Sequence, residues 1–268
     1  MRQSAATLET FYSTRLGFAA GTLIGQRLTD LWGGCGGLSV LIIGYPPPIS
    51  KLWLDTARAC IGVLPEGMGE IEHSAERGGI VTTAPENRLP FPDATFDRIV
   101  LLHALEEADS PRRMMRDIWR VLAPEGRVVV AAANRRNVWS LNDSQAFGHG
   151  RPWTRRQLTR FLNDGLFDVT ASTTAVYMPP LNCRIITAAA RSWERFGEAV
   201  LPGLGGVVLV EAVKRLYAKP GGSAPATVNQ AAPARNGIRP IPIEKADNSA
   251  KKEMAESDSE SNMDTVNN

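Results

Sequence analysis

Short apolar runs closed by glycine or proline alternate along this chain with stretches of helical periodicity. Apolar side chains recur at helical spacing over residues 7–31, and Gly33 ends the pattern, which predicts an amphipathic helix. Seven later runs have the length and apolar character of strands, several of them buried on both faces. We predict these strands at 38–44, 59–64, 79–84, 95–105, 126–133, 167–178 and 206–218.

Helical stretches separate several of the predicted strands. The stretch from Pro111 to Leu122 begins at a proline, ends before a Pro-Glu-Gly turn and carries an apolar stripe, which together predict a helix. Further helices are predicted at 52–58, 154–163 and 183–198. Strands that alternate with helices in this way form a parallel sheet with helices on both faces, so we predict a doubly wound α/β fold. Such sheets bind ligands beyond the carboxyl ends of their strands.

Composition divides the 268 residues into three parts. We expect residues 1–37 to form an N-terminal helix that packs on a domain at 38–218. After Tyr217 aromatic residues stop, and small, polar and charged residues dominate. Residues 219–268 therefore have too little apolar surface to offset their conformational entropy, and we predict a disordered tail there.

Charge, cysteine usage and hydropathy exclude several classes of function. The formal net charge of +2 argues against nucleic acid or an anionic membrane surface as the partner. Cys35, Cys60 and Cys183 are odd in number and far apart, so we expect buried thiols in a reducing compartment. No histidine pair has the i,i+4 spacing of a zinc site, and no apolar stretch reaches the roughly 18 residues of a membrane span. We expect a cytoplasmic protein with no metal and no membrane anchor.

The block at residues 86–132 holds a set of short motifs in a fixed order. The motifs are Leu89-Pro90-Phe91, Phe96-Asp97, Leu105-Glu106 and Arg120-Val121-Leu122-Ala123-Pro124-Glu125-Gly126. In order and spacing they resemble the class I S-adenosylmethionine-dependent methyltransferases of the type 11 group. The resemblance covers roughly residues 38–217. It implies a Rossmann-like, doubly wound seven-stranded sheet whose last strand is antiparallel.

The same resemblance implies S-adenosylmethionine as the cofactor and transfer of its methyl group to an acceptor, either a small molecule or a protein. Positions after the first four strands correspond to cofactor contacts in the family. In this chain they are Gly44, Tyr45, Val63, Leu64, Pro85, Glu86 and His103. For His103, a structural histidine with satisfied hydrogen bonds is the alternative interpretation.

The first strand ends differently from the glycine-rich loop of that family. Gly44-Tyr45-Pro46-Pro47-Pro48 follows Ile42, which stands where the family has an acid. The prolines exclude positive φ and remove N–H donors, so we expect a stiff polyproline-like turn. Leu64 stands at a second acid position, and Pro85, followed by Glu86, stands near a third. Each lost charge-assisted hydrogen bond would cost about 1.5–3 kcal/mol.

Two hypotheses follow from this mixture of matching and missing motifs. One is an active methyltransferase with a modified cofactor loop. The other is a non-catalytic methyltransferase-like protein that serves as a binding or regulatory module.

Polar residues follow the fifth predicted strand, where the family places substrate contacts and any general base. His149 lies between two glycines and is the candidate catalytic residue, because a histidine side chain titrates near neutral pH. A histidine that bonds the loop backbone is the alternative. Asn134, Arg135 and Arg151 are the candidate substrate-binding residues, although arginines here could also form a solvated surface. The acceptor and the oligomeric state stay open.

Overall fold

One sheet of eight strands runs through the computed structural model, which describes residues 2–69, 80–141, 146–214 and 239–240. The strands are β1 (Ser39–Gly44), β2 (Ala59–Pro65), β3 (Ile80–Ala84), β4 (Phe96–Leu102), β5 (Leu122–Ala133), β6 (Phe167–Ala175), β7 (Val207–Lys214) and the short β8 (Arg239–Pro240). Their order across the sheet is β3-β2-β1-β4-β5-β7-β6-β8. Strands β1 to β5 pair in parallel, whereas β7 lies antiparallel between β5 and β6. The predicted doubly wound sheet of seven strands with an antiparallel last strand is confirmed.

Helices cover both faces of this sheet. They are α1 (Ala5–Ser13), α2 (Arg15–Trp32), α3 (Pro47–Ser50), α4 (Pro111–Val121), α5 (Arg155–Asp164), α6 (Arg184–Ala188) and α7 (Ala190–Val200). Apolar side chains of α1, α2, α3 and α7 share one buried core with the sheet. Those of α4 and α5 share a second core on the opposite face. Two layers of helices therefore enclose the sheet and leave its carboxyl edge as the place for a site.

Helices α4 and α5 begin at or next to the residues from which the sequence predicts them. Pro111 is the first residue of α4, and Met114 and Ile118 on its apolar stripe are buried. Thr154 caps α5: its side chain accepts from the Gln157 N–H, and the Gln157 side chain accepts from the Thr154 N–H. Both helices are set by contacts within a few residues.

Two predicted helices are divided in the structure. Within 7–31, α1 gives way to α2 at Thr14, whose hydroxyl accepts from the Gly17 N–H at 3.0 Å. A Cβ at Gly17 would lie 2.1 Å from the Phe11 carbonyl oxygen, so the tight turn between the helices requires glycine. The helix predicted at 183–198 is likewise divided between α6 and α7.

The predictions for the chain after β1 are wrong in two respects. Residues 52–58 form turns, and the helix here is the short α3 before them. Pro46 is not in an extended polyproline-like turn: it has helical φ −69° and ψ −35°, and its carbonyl accepts from the N–H groups of Ile49 and Ser50. Proline suits the first turn of a helix, where its missing N–H has no partner to lose. The Pro46 ring packs on Gly62 of β2, where an added Cβ would lie 2.6 Å from Pro46 Cγ.

Strand ends differ from the predicted ones by a few residues. Strand β4 ends at Leu102 because His103 leaves the strand with φ +55°. Strand β6 ends at Ala175 because Val176 has φ +65°. Strand β5 begins at Leu122, which pairs with the start of β4.

Two further expectations concern the thiols and the tail. Cys35 is buried and Cys60 is half-buried, but Cys183 is exposed, so the expectation of three buried thiols is wrong for Cys183. The disordered tail predicted at 219–268 lies outside the described residues, apart from 239–240, which pair with β6.

Candidate functional site

The carboxyl ends of β1 to β4 lie side by side, and the predicted cofactor positions follow them. Gly44 ends β1 with φ +107°, and a Cβ there would lie 1.9 Å from the Leu102 carbonyl oxygen of β4. Only glycine fits this turn. The next N–H, that of Tyr45, donates to the same Leu102 oxygen at 2.9 Å, so the β1 loop is tied to β4 by the backbone.

Apolar side chains fill the edge beyond β1 and β2. Tyr45 is 1% exposed, and its ring stacks on that of Tyr12 with centroids 5.5 Å apart and planes at 13°. Val63 and Leu64 are also buried. Ile42 is buried as well, so the described side chains at the two positions where the family has acids, Ile42 and Leu64, offer packing instead of charge.

Glu86 provides a buried carboxylate after β3. Its Oε1 accepts from the N–H groups of Asp109 and Ser110 at 2.9 and 3.4 Å, and its Oε2 forms an ion pair with Arg2. Pro85 beside it is half-buried. Glu86 therefore joins the loop after β4 to the start of the chain.

Arg2 and the residues after it lie across this edge. The Arg2 guanidinium donates to the carbonyl oxygens of Glu66 at 2.8 Å and Glu107 at 3.1 Å, besides its contact with Glu86. The Ala5 N–H donates to the Met68 carbonyl at 2.6 Å. The N-terminal cover, which we define as residues 2–12, thus contacts the loops after β2, β3 and β4. Sequence analysis predicted a packed N-terminal helix but not its place over the site.

His103 follows β4 beneath this cover. It is 7% exposed, its Nε2 lies 2.7 Å from the Tyr12 hydroxyl in a hydrogen bond, and its ring lies against Phe147 with centroids 4.6 Å apart. Burial, aided by the charge of His149, lowers the pKa of His103 to about 3. The imidazole is therefore neutral at physiological pH.

Tyr12 is the partner that sequence analysis missed. Burial raises the pKa of its phenol well above the usual value, and Tyr45 and Glu106 add to the rise. The available signal was a tyrosine on the apolar face of a helix, beside Leu8 and Phe11, since such a hydroxyl needs a partner when buried.

Glu106 is the second missed residue. It is 6% exposed; Oε1 accepts from the Ala133 N–H at 2.8 Å, whereas Oε2 has no hydrogen-bond partner among the described residues. Burial raises the pKa of Glu106 to about 7, against the opposing effect of its backbone hydrogen bonds. A carboxyl group that titrates near neutral pH with one oxygen uncommitted can accept or release a proton.

The residues predicted for catalysis and substrate binding lie in different surroundings. His149 is half-buried and close enough to His103 for its charge to lower the pKa there. Arg151 is exposed, with its N–H donating to the Glu106 carbonyl at 2.8 Å. Arg135 is exposed and bonds the Pro152 carbonyl at 3.2 Å. These three roles stay predictions.

Asn134 is held by the backbone of the loop before β7. Its Nδ2 donates to the carbonyls of Gly203 and Gly205 at 3.1 and 2.7 Å, and its Oδ1 accepts from the Arg136 N–H at 3.1 Å. Both polar atoms of the buried Asn134 side chain therefore have hydrogen-bond partners, so this residue stabilises the loop. Its predicted role in substrate binding stays a prediction.

Across the ranges that the structure covers, no helix has the length and apolar character to cross a membrane. The same residues contain no group of three or more His, Cys, Asp or Glu side chains placed to hold a metal ion.

A family model described as a methyltransferase domain matches residues 60–130. The chain is also 31% identical over 117 residues to the ubiquinone/menaquinone biosynthesis C-methyltransferase UbiE of Enterobacter sp. (strain 638). That alignment covers 41% of this chain and 44% of the relative. The chain thus matches less than half the length of this curated relative.

Solved structures share the fold at low identity. A methyltransferase from Thermotoga maritima, described as a possible histamine N-methyltransferase, has a TM-score of 0.57 at 18% identity over 77% of this chain and 94% of its own. The [4+2]-cyclase SpnF has a TM-score of 0.51 at 20% identity over 71% of this chain and 81% of its own. Such likeness shows the fold, which can host more than one chemistry. The chain therefore has the fold of the class I S-adenosylmethionine-dependent methyltransferases, and its residues 60–130 are similar to a methyltransferase domain.

Proposed function

We propose that this chain is a cytoplasmic S-adenosylmethionine-dependent methyltransferase acting on a small-molecule or protein acceptor. The observation that carries the proposal is the class I strand order combined with the methyltransferase-domain match at residues 60–130. The curated relative is a C-methyltransferase of quinone biosynthesis, and the Thermotoga protein is a possible N-methyltransferase. Since these names differ in the atom that accepts the methyl group, they leave the acceptor of this chain open.

Gly44 and Glu86 are the residues that fit the cofactor at this edge. Gly44 keeps the turn that a Cβ would block, and Glu86 is a buried carboxylate after β3. Ile42 and Leu64 supply no further carboxylates, so we expect weaker binding than a site with all three acids would give, by about 1.5–3 kcal/mol for each loss. S-adenosylmethionine, when bound, supplies the methyl group.

The N-terminal cover has to move before a ligand can reach this edge. Tyr45, Leu64 and Met68 are each about 1% exposed beneath it. Arg2 and Tyr12 hold it through Glu86 and His103. We therefore propose that the cover competes with the cofactor for the carboxyl edge of the sheet.

Glu106 is the group best placed to manage the proton of the reaction. Transfer of a methyl group to an N–H, O–H or acidic C–H acceptor releases a proton. The uncommitted Oε2 of Glu106 and a carboxyl pKa of about 7 suit it to take that proton. The neutral His103 and its Tyr12 partner lie at the same strand end and complete a buried polar group.

Calorimetric titration of the full chain with S-adenosylmethionine and S-adenosylhomocysteine tests cofactor binding. We expect heat from both ligands, with each competing for the other's site. Absence of heat at high micromolar ligand, with circular dichroism showing a folded protein, would overturn the proposal and favour the non-catalytic binding module.

Arg2→Ala tests the competition between cover and cofactor. Because the variant loses three contacts of the cover, we expect both ligands to bind about tenfold more tightly, equivalent to about 1.4 kcal/mol. Arg116→Ala, an exposed arginine on α4, is the matched control and should bind as the parent does. Weaker binding by Arg2→Ala would contradict competition, since the cover would then close over the ligand.

A further inference from the structure

A groove of about 760 Å³ opens between α1–α2 and α6–α7. Its α2 wall includes Phe18, Ala19 and Leu23, and its opposite wall includes Ala188 and Ala190. Phe18 is 71% exposed, although its side chain is large and apolar. The groove therefore presents apolar surface to solvent at a place where the fold itself does not cover it.

Three arginines surround this apolar surface. Arg15, Arg184 and Arg191 line the groove and are exposed, and no aspartate or glutamate is among the described residues that line it. Within the described ranges none of the three has an ion pair. The groove thus combines an apolar wall with uncompensated positive charge.

The nearest carboxylates on α7 are already committed elsewhere. Arg27 of α2 pairs with Glu198 at 2.7 Å and with Glu194 at 3.4 Å. The second oxygen of Glu194 accepts from the Tyr177 N–H at 3.0 Å. Both acids are directed at Arg27 and neither lines the groove, so neither forms an ion pair with the arginines there.

Tyr12 lines the groove and connects it to the candidate site. Its ring stacks on the buried Tyr45, and its hydroxyl bonds His103 Nε2 at 2.7 Å. A molecule in the groove would therefore meet the same side chain that covers the polar group after β4.

We propose that this groove binds the acceptor, and that the acceptor is a small amphipathic molecule with an apolar body and a carboxylate or phosphate group. The apolar walls favour the body by burying its surface, and the arginines favour the anion through charge-assisted hydrogen bonds. The identification of this ligand as the acceptor rests on the proposed function, whereas its binding to the groove does not.

Calorimetric titration with decanoate, below its micelle-forming concentration and without cofactor, tests the groove directly. Decyltrimethylammonium has the same chain length with a positive head group and is the matched control ligand. We expect decanoate to bind at least tenfold more tightly than the cation. Equal binding of the two would overturn the proposal, because charge would then play no part.

Arginine variants locate the bound anion. Arg184→Gln and Arg191→Gln should each weaken decanoate binding by about tenfold, equivalent to about 1.4 kcal/mol. Arg112→Gln, an exposed arginine on α4 at the opposite face, should leave it unchanged. Phe18→Ala should weaken binding and its control, Ile80→Ala at the exposed end of β3, should not. Equal effects at groove and control positions would overturn the proposal.

Two further outcomes separate this proposal from its alternatives. If the chain binds vesicles containing anionic phospholipid but not monomeric decanoate or decyl phosphate, the surface contacts a membrane and the acceptor proposal fails. If S-adenosylmethionine gives heat but neither monomeric amphiphile binds, the groove proposal fails while the proposed function stands.

Discussion

The two halves of the sheet's carboxyl edge bury different kinds of side chain. Beyond β1 and β2 the edge is closed by apolar contacts: Tyr45 stacks on Tyr12, and Pro46 packs on Gly62. Beyond β4 the buried groups include two titratable side chains, His103, which is neutral, and Glu106, which has one oxygen without a partner among the described residues. The first half is packed with apolar side chains, whereas the second half holds titratable side chains in the interior.

The difference between the two halves indicates which of them is the better candidate for the proposed reaction. Burying apolar surface stabilises a fold, whereas burying a carboxyl group without a full set of hydrogen bonds costs stability. His103 also holds a positive φ, a conformation that disfavours most residues with a side chain. Strain and buried titratable groups concentrate at functional sites, so the β4 half is the better candidate for the reacting centre.

His103→Asn should give the largest effect and tests the β4 half. The folded chain has a His103 pKa of about 3 and the unfolded chain one near 6.5, so only the unfolded chain binds the proton between these values. The parent therefore loses stability as the pH falls from 6.5 to 3, by about 5 kcal/mol in all. Asparagine tolerates positive φ and carries no titrating proton. The stability of the variant relative to the parent, from urea unfolding at each pH, should rise by this amount as the pH falls.

His149→Asn is the control for that measurement. Burial is the larger cause of the low His103 pKa and the charge of His149 the smaller one, so this variant should change the acid sensitivity much less. A difference between His103→Asn and parent that does not depend on pH would show that His103 is not buried as a neutral ring.

Gly44→Ala tests the tightly packed β1 half. The added Cβ would lie 1.9 Å from the Leu102 oxygen at φ +107°, so we expect a loss of about 4 kcal/mol in the free energy of unfolding. Gly36→Ala is the matched control, since its Cβ meets no atom closer than the Thr56 oxygen at 4.0 Å. Equal losses at both positions in urea denaturation would mean that the β1 turn is free to relax.

Glu106→Gln should have the smallest effect of the three, with a pH dependence opposite to that of His103→Asn. The folded chain keeps the Glu106 proton up to about pH 7, whereas the unfolded chain releases it near 4.5. The parent therefore loses about 3 kcal/mol as the pH rises through this window. The neutral glutamine removes the loss, so the variant should gain this amount over the parent between pH 4 and 8. Glu125→Gln at an exposed position of β5 should not reproduce the gain.

The matched segment was predictable because its signals are local. Pro111 begins α4, the stripe through Met114 and Ile118 faces the sheet, and Leu89 and Phe91 pack in the same core. Each of these features depends on residues within about one turn or one loop. The same is true of the Thr154 cap on α5.

The prolines after Gly44 show the limit of local inference. Their sequence excludes positive φ, but it allows both an extended and a helical conformation. The structure takes the helical one, because Pro46 packs on Gly62 and its carbonyl accepts two helical N–H bonds. A contact with a neighbouring strand decided what the local pattern left undetermined.

The sequence by itself determined the α/β alternation, the strand order implied by its resemblance to the class I methyltransferases, and the apolar side chains of Ile42 and Leu64 at positions where that family has acids. Only the tertiary structure placed Arg2 beside Glu86 and Tyr12 beside His103, pairs that are 84 and 91 residues apart in the chain. The tertiary structure also raised the Glu106 pKa, because desolvation arises from everything packed around a group. Periodicity is a property of neighbouring residues, whereas covering a site and burying a charge are properties of the assembled fold.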